Sequence, residues 1–528
     1  MKLIDTFDFT DIESIPRLIK DLLNKDLSDF NDNIFTLKNI QNKMGEKAES
    51  FSSNQREILY HELRSQLQGT ALSIGQEYNL EVLKNNNTFT ITTGHQLNLF
   101  SGPVFFIYKI LQTIKTCEFL KAKFPNHNFV PIYWMATEDH DFEEINHFKT
   151  LLNYYEMNEK YGGAVGRIPV FDIHFISEFE SEFRDTVYGT ELLLMLKEAY
   201  QHGNTLTQAI RILVNRLFSQ YGLLMIDGDS KALKSQMIGI FKDELVNSQL
   251  KKSTEEKVEF LKNRYGKVQV NPRDINLFYL SETRNRIELQ NEEFKVINTD
   301  ISFSKEEILK ELETHPEKFS PNALLRPVFQ EVVLPNIVYI GGNAEIMYWL
   351  ELKDYFKNVK LSFPILIPRN SMLFIKEKTL QKIEKLDLNI GDFLYPFPNI
   401  VNKKLLSNHP ILDMLQEQED VLKKQFNQLG NVAGKTHSSF QNMVNAEETR
   451  QLKSFQRLKK RLLKAEKIKQ QELLERLENL FLEVHPGKTW QERVLNFSVW
   501  FSDYGKDWLE ICYEKMTVDE SQLIVVAI

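Results

Sequence analysis

Five short apolar runs, each closed by a polar or glycine-rich turn, constrain this chain more than any other feature. They lie at 88–93 (TFTITT), 129–136 (FVPIYWMA), 222–227 (GLLMID), 334–341 (LPNIVYIG) and 363–368 (FPILIP), and the turns read GHQ, TEDHD, DGDS, GGNAE and RNS. Runs this short, separated by amphipathic helical stretches, predict parallel strands in a doubly wound α/β sheet. In open α/β sheets ligands bind in the crevice at the carboxyl ends of the strands. All five turns are therefore expected on one edge.

At 528 residues the chain exceeds the size of a single core. Its expected organisation is a Rossmann-like core over 1–375, with a helical N-terminal segment and insertions at about 153–220 and 255–330 packed beside the crevice. After 375 the pattern changes. Ile411, Leu415, Leu422, Phe426, Leu429 and Val432 follow helical spacing, and a second stripe runs from Leu452 through Leu480, with Gly430 and Gly434 between the two. This predicts an antiparallel helical hairpin, an α-helical coiled-coil arm over 376–487. Too little sequence surrounds the stripe to bury it, so a homodimer through the arm is expected. The tail, 488–528, is apolar enough to return to the core.

An apolar content of 42% with 26% charged residues fits a globular protein. The net charge of −8 argues against a general nucleic-acid partner, and the basic stretch 453–469 reads as the solvated face of the arm. Cys117 and Cys512, the only cysteines, exclude a disulfide framework. No run approaches 18 uninterrupted apolar residues, and acidic residues interrupt the N-terminus where a leader needs its apolar centre. The expectation is a cytoplasmic protein with no membrane partner.

Two turns carry the chemistry. At Gly94-His95-Gln96 a glycine permits a sharp turn, and a histidine can donate to developing charge or move a proton. The competing reading is a capping histidine. At Glu138-Asp139-His140-Asp141 three readings stand. A metal site would use His140, Asp141 and His147 in hydrolysis; metal-free chemistry would use the carboxylates to hold an amine and His140 to handle its proton; an acidic helix start would have no chemistry at all. Gly341, Gly342, Glu345 and Tyr348 form a turn a ligand can approach closely, or a tight cap on a core helix. Arg326 before a helix and Arg369 after a strand are candidates to grip a carboxylate.

Taken together, TGHQLNLFSGPVFFIYKI, PIYWMATEDHDFEEINH, NLFYLSETRNRI, KFSPNALLRPVFQE, YIGGNAEIMYWLELK, PRNS and QERVLNFSVWFSDYG resemble the bacillithiol biosynthesis cysteine-adding enzyme family, BshC. The resemblance runs from about residue 88 to the end. It implies a Rossmann-type core with connecting-peptide insertions and a coiled-coil arm forming a homodimer. The implied reaction is that of a ligase joining the carboxyl group of cysteine to the amino group of glucosaminyl malate. The family is similar in fold to nucleotidyltransferases and class I aminoacyl-tRNA synthetases, and the turn at His95 stands where their HIGH-like motif follows the first strand. Lys318-Phe319-Ser320 is the nearest approach to a KMSKS loop.

On this reading His95, Asp139, His140 and Asp141 are the expected catalytic residues. Gly94, Gln96, Asn98, Glu138, Arg326, Gly341, Gly342, Glu345, Tyr348, Arg369, Asn370 and Ser371 are expected to bind substrate, with the malate carboxylates falling to Arg326, Arg369 or the insertion residues Arg284 and Arg286. Amide formation from a free acid needs activation. ATP or another nucleotide is the expected source, in the crevice or in a second pocket at Arg493, Asn496 and Tyr504, and no metal is expected.

Overall fold

The computed structural model describes residues 1–159, 162–407 and 409–528. The chain forms two compact units. One comprises Met1–Asp11, Ile15–Phe374 and Trp490–Val526; the other comprises Ile12–Ser14, Ile375–Thr489 and Ala527–Ile528.

All five predicted runs become strands of one parallel sheet in the first unit: β1 (Thr88–His95), β2 (Asn128–Met135), β3 (Leu224–Asp227), β4 (Asn336–Gly341) and β5 (Ile365–Pro368). Their order is β5-β4-β1-β2-β3, a Rossmann-like α/β arrangement. The order reverses on either side of β1, which makes the gap between β1 and β4 the switch point where a crevice opens. Register aligns the carboxyl ends: His95 lies beside Met135, Met135 beside Asp227, and Gly341 beside Pro368.

β1 is buried from Thr88 to Gly94. Its threonines tolerate this because their hydroxyls find partners, Thr92 with Asn336 Oδ1 at 2.8 Å and Thr93 with the Ile340 carbonyl at 2.8 Å. Helix α1 (Phe105–Lys123) makes the crossover to β2. Its Cys117 and Leu120, with Ile40 and Met44 of the helix Leu37–Ser50, pack on Phe89, Ile91, Ile337 and Val338. Helices α2 (Arg326–Val333) and α3 (Asn343–Leu350) flank β4 in sequence.

The two insertions have different structures. Residues after 153 form helices His174–Phe183, Gly189–Ala199 and Leu206–Phe218. The later stretch folds into a five-stranded antiparallel sheet in which Leu277–Leu280 lies between Arg284–Gln290 and Phe319–Pro321. The tail strand Gln522–Ala527 is buried throughout.

In the second unit Pro410–Ala433 and Ser438–Lys469 form the predicted hairpin. Lys459 pairs with Glu419 at 2.7 Å and His409 lies 3.6 Å from Glu466, which fixes the helices as antiparallel. The longer helix ends at Lys469, and a separate helix, Gln471–Val484, follows. Ile411, Met414, Val421, Leu429 and Val432 remain exposed. Among the described residues no helix is long and apolar enough to cross a membrane.

Candidate active site

A cavity of about 760 Å³ opens at the carboxyl ends of the strands. It is walled by the β1 and β2 turns, by Tyr339 of β4 with Glu345 and Tyr348 of α3, and by the antiparallel sheet.

The floor is built around Gly94. A Cβ there would lie 3.2 Å from the Tyr339 hydroxyl and 3.4 Å from Arg326 Nη1, so glycine is what lets Arg326 close against β1. The Gly94 carbonyl accepts from Lys109, a fully buried residue of α1. Lys109 also reaches both Glu345 oxygens, at 2.8 and 2.9 Å. Glu345 accepts further bonds from the Tyr339 hydroxyl at 2.6 Å and the Gly342 N–H at 3.1 Å. Burial would raise the Glu345 carboxyl, but Lys109, Tyr339 and Gly342 outweigh it and hold it below the usual range.

Over this floor His95 stacks on Phe106, ring centroids 4.7 Å apart, with its edge against Phe105. Its Nε2 is shielded and has no partner among the described residues. Burial, reinforced by the charges of Lys109 and Arg369, pushes the imidazole well below its ordinary pKa, so the ring is neutral near pH 7. Arg326, the first residue of α2, donates to Gln330 Oε1 at 3.1 Å and lies 3.5 Å from the Tyr348 hydroxyl. Among the described residues no carboxylate pairs with it. Its guanidinium is therefore available to an anion in the cavity.

The β2 turn supplies the opposite charge. Asp139 accepts from Gln96 Nε2 at 2.8 Å and from the His140 N–H at 2.8 Å. Burial raises its carboxyl, but the His140 backbone N–H, the Gln96 amide and the nearby Arg284 cation hold it below the ordinary range. Glu138 pairs with the buried Lys234 at 2.5 Å. His140 sits over Phe278, and its Nδ1 is 3.0 Å from Arg284 Nη1.

The segment from Gln269 to Asn276 completes the wall. It is tethered by Glu351, whose Oε1 accepts the Gln269 and Val270 N–H groups at 3.1 and 3.3 Å. Burial raises this carboxyl from 4.5 to about 7, against the two N–H bonds that favour its charge. A carboxyl raised in the folded state binds its proton more tightly there. Its contribution is complete below the unfolded value and is lost as pH climbs from 4.5 through about 7. Glu351→Gln keeps an acceptor for both N–H groups and removes the ionisation. The variant is expected to exceed wild type in stability by about 1–3 kcal/mol above neutral pH, with the gap closing in acid. Urea midpoints at about pH 5 and about pH 8 check this, and a wild type as stable as the variant at the higher pH contradicts it.

Of the residues expected from sequence, Gly94, His95, Gln96, Glu138, Asp139, His140, Arg326, Glu345 and Tyr348 line the cavity, as do Arg284 and Arg286. Others lie elsewhere, each for a physical reason. Asp141 is exposed and precedes the short helix Phe142–Ile145. Asn98 is buried in the turn before α1, packed against Gly102. Gly342 gives its N–H to Glu345, and a Cβ at Gly341 would lie 2.8 Å from the Tyr339 ring, so these glycines serve internal packing. Arg369 forms a buried two-pronged pair with Glu492 at 2.9 and 2.6 Å, joined by Ser371, and Asn370 is bonded to Gln112 and Thr517. Asn496 gives both side-chain protons to the Phe100 and Gly102 carbonyls. Arg493 lies 6.0 Å from the Phe105 ring, and Tyr504 ends the helix Ser498–Tyr504.

His140, Asp141 and His147 do not converge. His147 lies in the hairpin strand His147–Lys149, bonded to Asn146, and does not line the cavity. Among the described residues no three His, Cys, Asp or Glu side chains are placed to share an ion. Sequence reasoning missed Lys109, although a lone lysine inside the apolar run FFIYKIL signals a buried, paired charge.

Comparison with known proteins agrees with this architecture. The family model for the bacillithiol biosynthesis BshC N-terminal Rossmann-like domain matches residues 8–370, and that for the BshC C-terminal coiled-coil domain matches residues 372–528. The chain belongs to the BshC family. A BshC relative from Flavobacterium johnsoniae is 41% identical over 518 residues, covering 97% of each chain. One from Christiangramia forsetii is 39% identical over 513 residues, covering 96% of this chain and 95% of the relative. A more distant one, from Chlorobaculum tepidum, is 27% identical over 485 residues. All three bear the name "Putative cysteine ligase BshC", and this BshC chain is assigned to the ligase class.

Proposed function

We propose that this chain is the cysteine ligase of bacillithiol synthesis, joining the cysteine carboxyl group to the amine of glucosaminyl malate in the cytoplasm. The observation that carries this reading is the polarity of the cavity. An unpaired guanidinium, Arg326, stands at the β1–β4 switch point, and a low-pKa carboxylate, Asp139, stands on the neighbouring β2 turn. One molecule that carries malate carboxylates and, on the adjoining sugar, an amine would present the first to Arg326 and the second to Asp139.

The low pKa of Asp139 suits it to holding the ammonium and makes it a poor proton acceptor. The ammonium first gives a proton to solvent; the neutral amine's lone pair then forms the C–N bond as the acyl–oxygen bond to the activating phosphate or nucleotide breaks, and the nitrogen gives its second proton to solvent. Neutral His95, which lines the cavity, is the residue assigned to interact with oxygen that gains charge in that step. Activation of the cysteine carboxyl is assigned to ATP or another nucleotide. The Gly341–Gly342 turn does not offer it a phosphate cradle, because Glu345 already takes the Gly342 N–H.

Calorimetric titration tests the reading. Glucosaminyl malate is expected to bind at least about tenfold tighter than its N-acetylated form, which cannot present an ammonium. Asp139→Asn is expected to remove that preference. Equal binding of the two forms by wild type would overturn the assignment of the amine to Asp139.

The arm is proposed to pair two copies, its exposed Ile411, Met414, Val421, Leu429 and Val432 finding their cover in a second chain. Light scattering is expected to give twice the 62.1 kDa of one chain. A monomer at micromolar concentration would exclude this.

A further inference from the structure

Arg284 is a buried cation with an unusual partner. Its Nε donates to Ser320 Oγ at 3.0 Å, its Nη2 to the Pro321 carbonyl at 2.8 Å, and its Cζ lies 3.9 Å above the Phe278 ring. These contacts fix the plane of the guanidinium. The remaining contact is Nη1 to His140 Nδ1 at 3.0 Å. A guanidinium has donors only, so Nδ1 must present its lone pair, and the proton of the neutral ring then resides on Nε2. Asp139 Oδ1 competes for the same nitrogen and would impose the opposite tautomer. It lies 3.6 Å away, beyond hydrogen-bond range, and already takes the His140 backbone N–H.

We infer that Arg284 is a positioning residue that fixes His140 as the Nε2–H tautomer, so that His140 offers the cavity a hydrogen-bond donor and not a proton acceptor. In catalytic triads a carboxylate holds Nδ1–H and leaves Nε2 as the base; an arginine in that place reverses the ring's role. For the reaction this rests on the ligase reading. There, His140 Nε2–H would bond to oxygen as the amine adds to the acyl carbon, and the amine's proton would pass to solvent. The wall sheet thereby decides what a β2-turn residue can do.

The tautomer is readable without any substrate. The full-length chain, labelled with ¹⁵N-histidine and kept mildly alkaline, is examined by NMR, with the His140 ring signals assigned by their absence from His140→Asn. Wild type is expected to show a protonated Nε2 and a bare Nδ1, and Arg284→Lys to preserve this. Arg284→Met is expected to move the proton to Nδ1, facing Asp139. A protonated Nδ1 in wild type overturns the inference, whether or not the methionine variant folds. In cells, His140→Ala is expected to lower thiol formation about 100-fold, and His140→Gln, whose amide can still donate, to retain most of it. Equal loss in both overturns the donor role. Failure of the ligase reading would appear differently, as a thiol pool indifferent to deletion of the gene.

Discussion

Arg326→Ala is expected to weaken glucosaminyl malate binding by about 2–4 kcal/mol, that is by about 30- to 1,000-fold, while leaving the thermal midpoint nearly unchanged. The guanidinium stands at the switch point of the sheet, held by Gln330 and near the Tyr348 hydroxyl, and among the described residues it has no carboxylate partner. Its removal costs the fold those two polar contacts and a guanidinium 5.7 Å from the Tyr339 ring, at a half-buried position. A bound substrate carboxylate would lose a charge-assisted, two-pronged partner. Calorimetry and a melting curve on the same preparation separate the two effects. Unchanged binding, or a collapse of the fold, would show that Arg326 is structural.

Arg369→Ala is expected to do the reverse, with a loss of about 3–5 kcal/mol in stability and a fall of several degrees in the midpoint. Arg369 and Glu492 are both buried, with side chains 4% and 2% exposed, and are joined by two short bonds. Removing the arginine leaves the Glu492 carboxylate uncompensated, with only Ser371 to satisfy it. The double variant Arg369→Met/Glu492→Met removes both charges and is expected to be more stable than either single change. Denaturant unfolding of the three variants measures the coupling. Single variants no less stable than the double would mean that the pair contributes little.

These two arginines also show how far sequence reaches. Each is a lone arginine beside a strand or helix end, and each reads as a carboxylate grip. What separates them is Glu492, 123 residues downstream of Arg369, and local pattern carries no information about so distant a partner. The same limit applies at β2: Asp139 turns inward to Gln96 while Asp141 faces outward at the start of the next helix, a difference of one turn of backbone.

The parallel strands were legible because each is buried on both faces and so reads as an unbroken apolar or threonine-rich run. The antiparallel sheet of the insertion was not. Its strand Arg284–Gln290 alternates buried and open positions too irregularly to stand out, and that sheet supplies Phe278 and Arg284 to the cavity. Lys109 was hidden for a related reason: its role depends on Glu345, which only the closed sheet brings to it.

Thiol profiling of a strain deleted for this gene, by a thiol-reactive label and mass spectrometry, tests the assigned reaction most directly. The expected result is loss of bacillithiol with accumulation of glucosaminyl malate, restored by the wild-type gene and not by His95→Ala or Arg326→Ala. A thiol pool unchanged by the deletion would contradict the assignment of this chain to the cysteine-adding step.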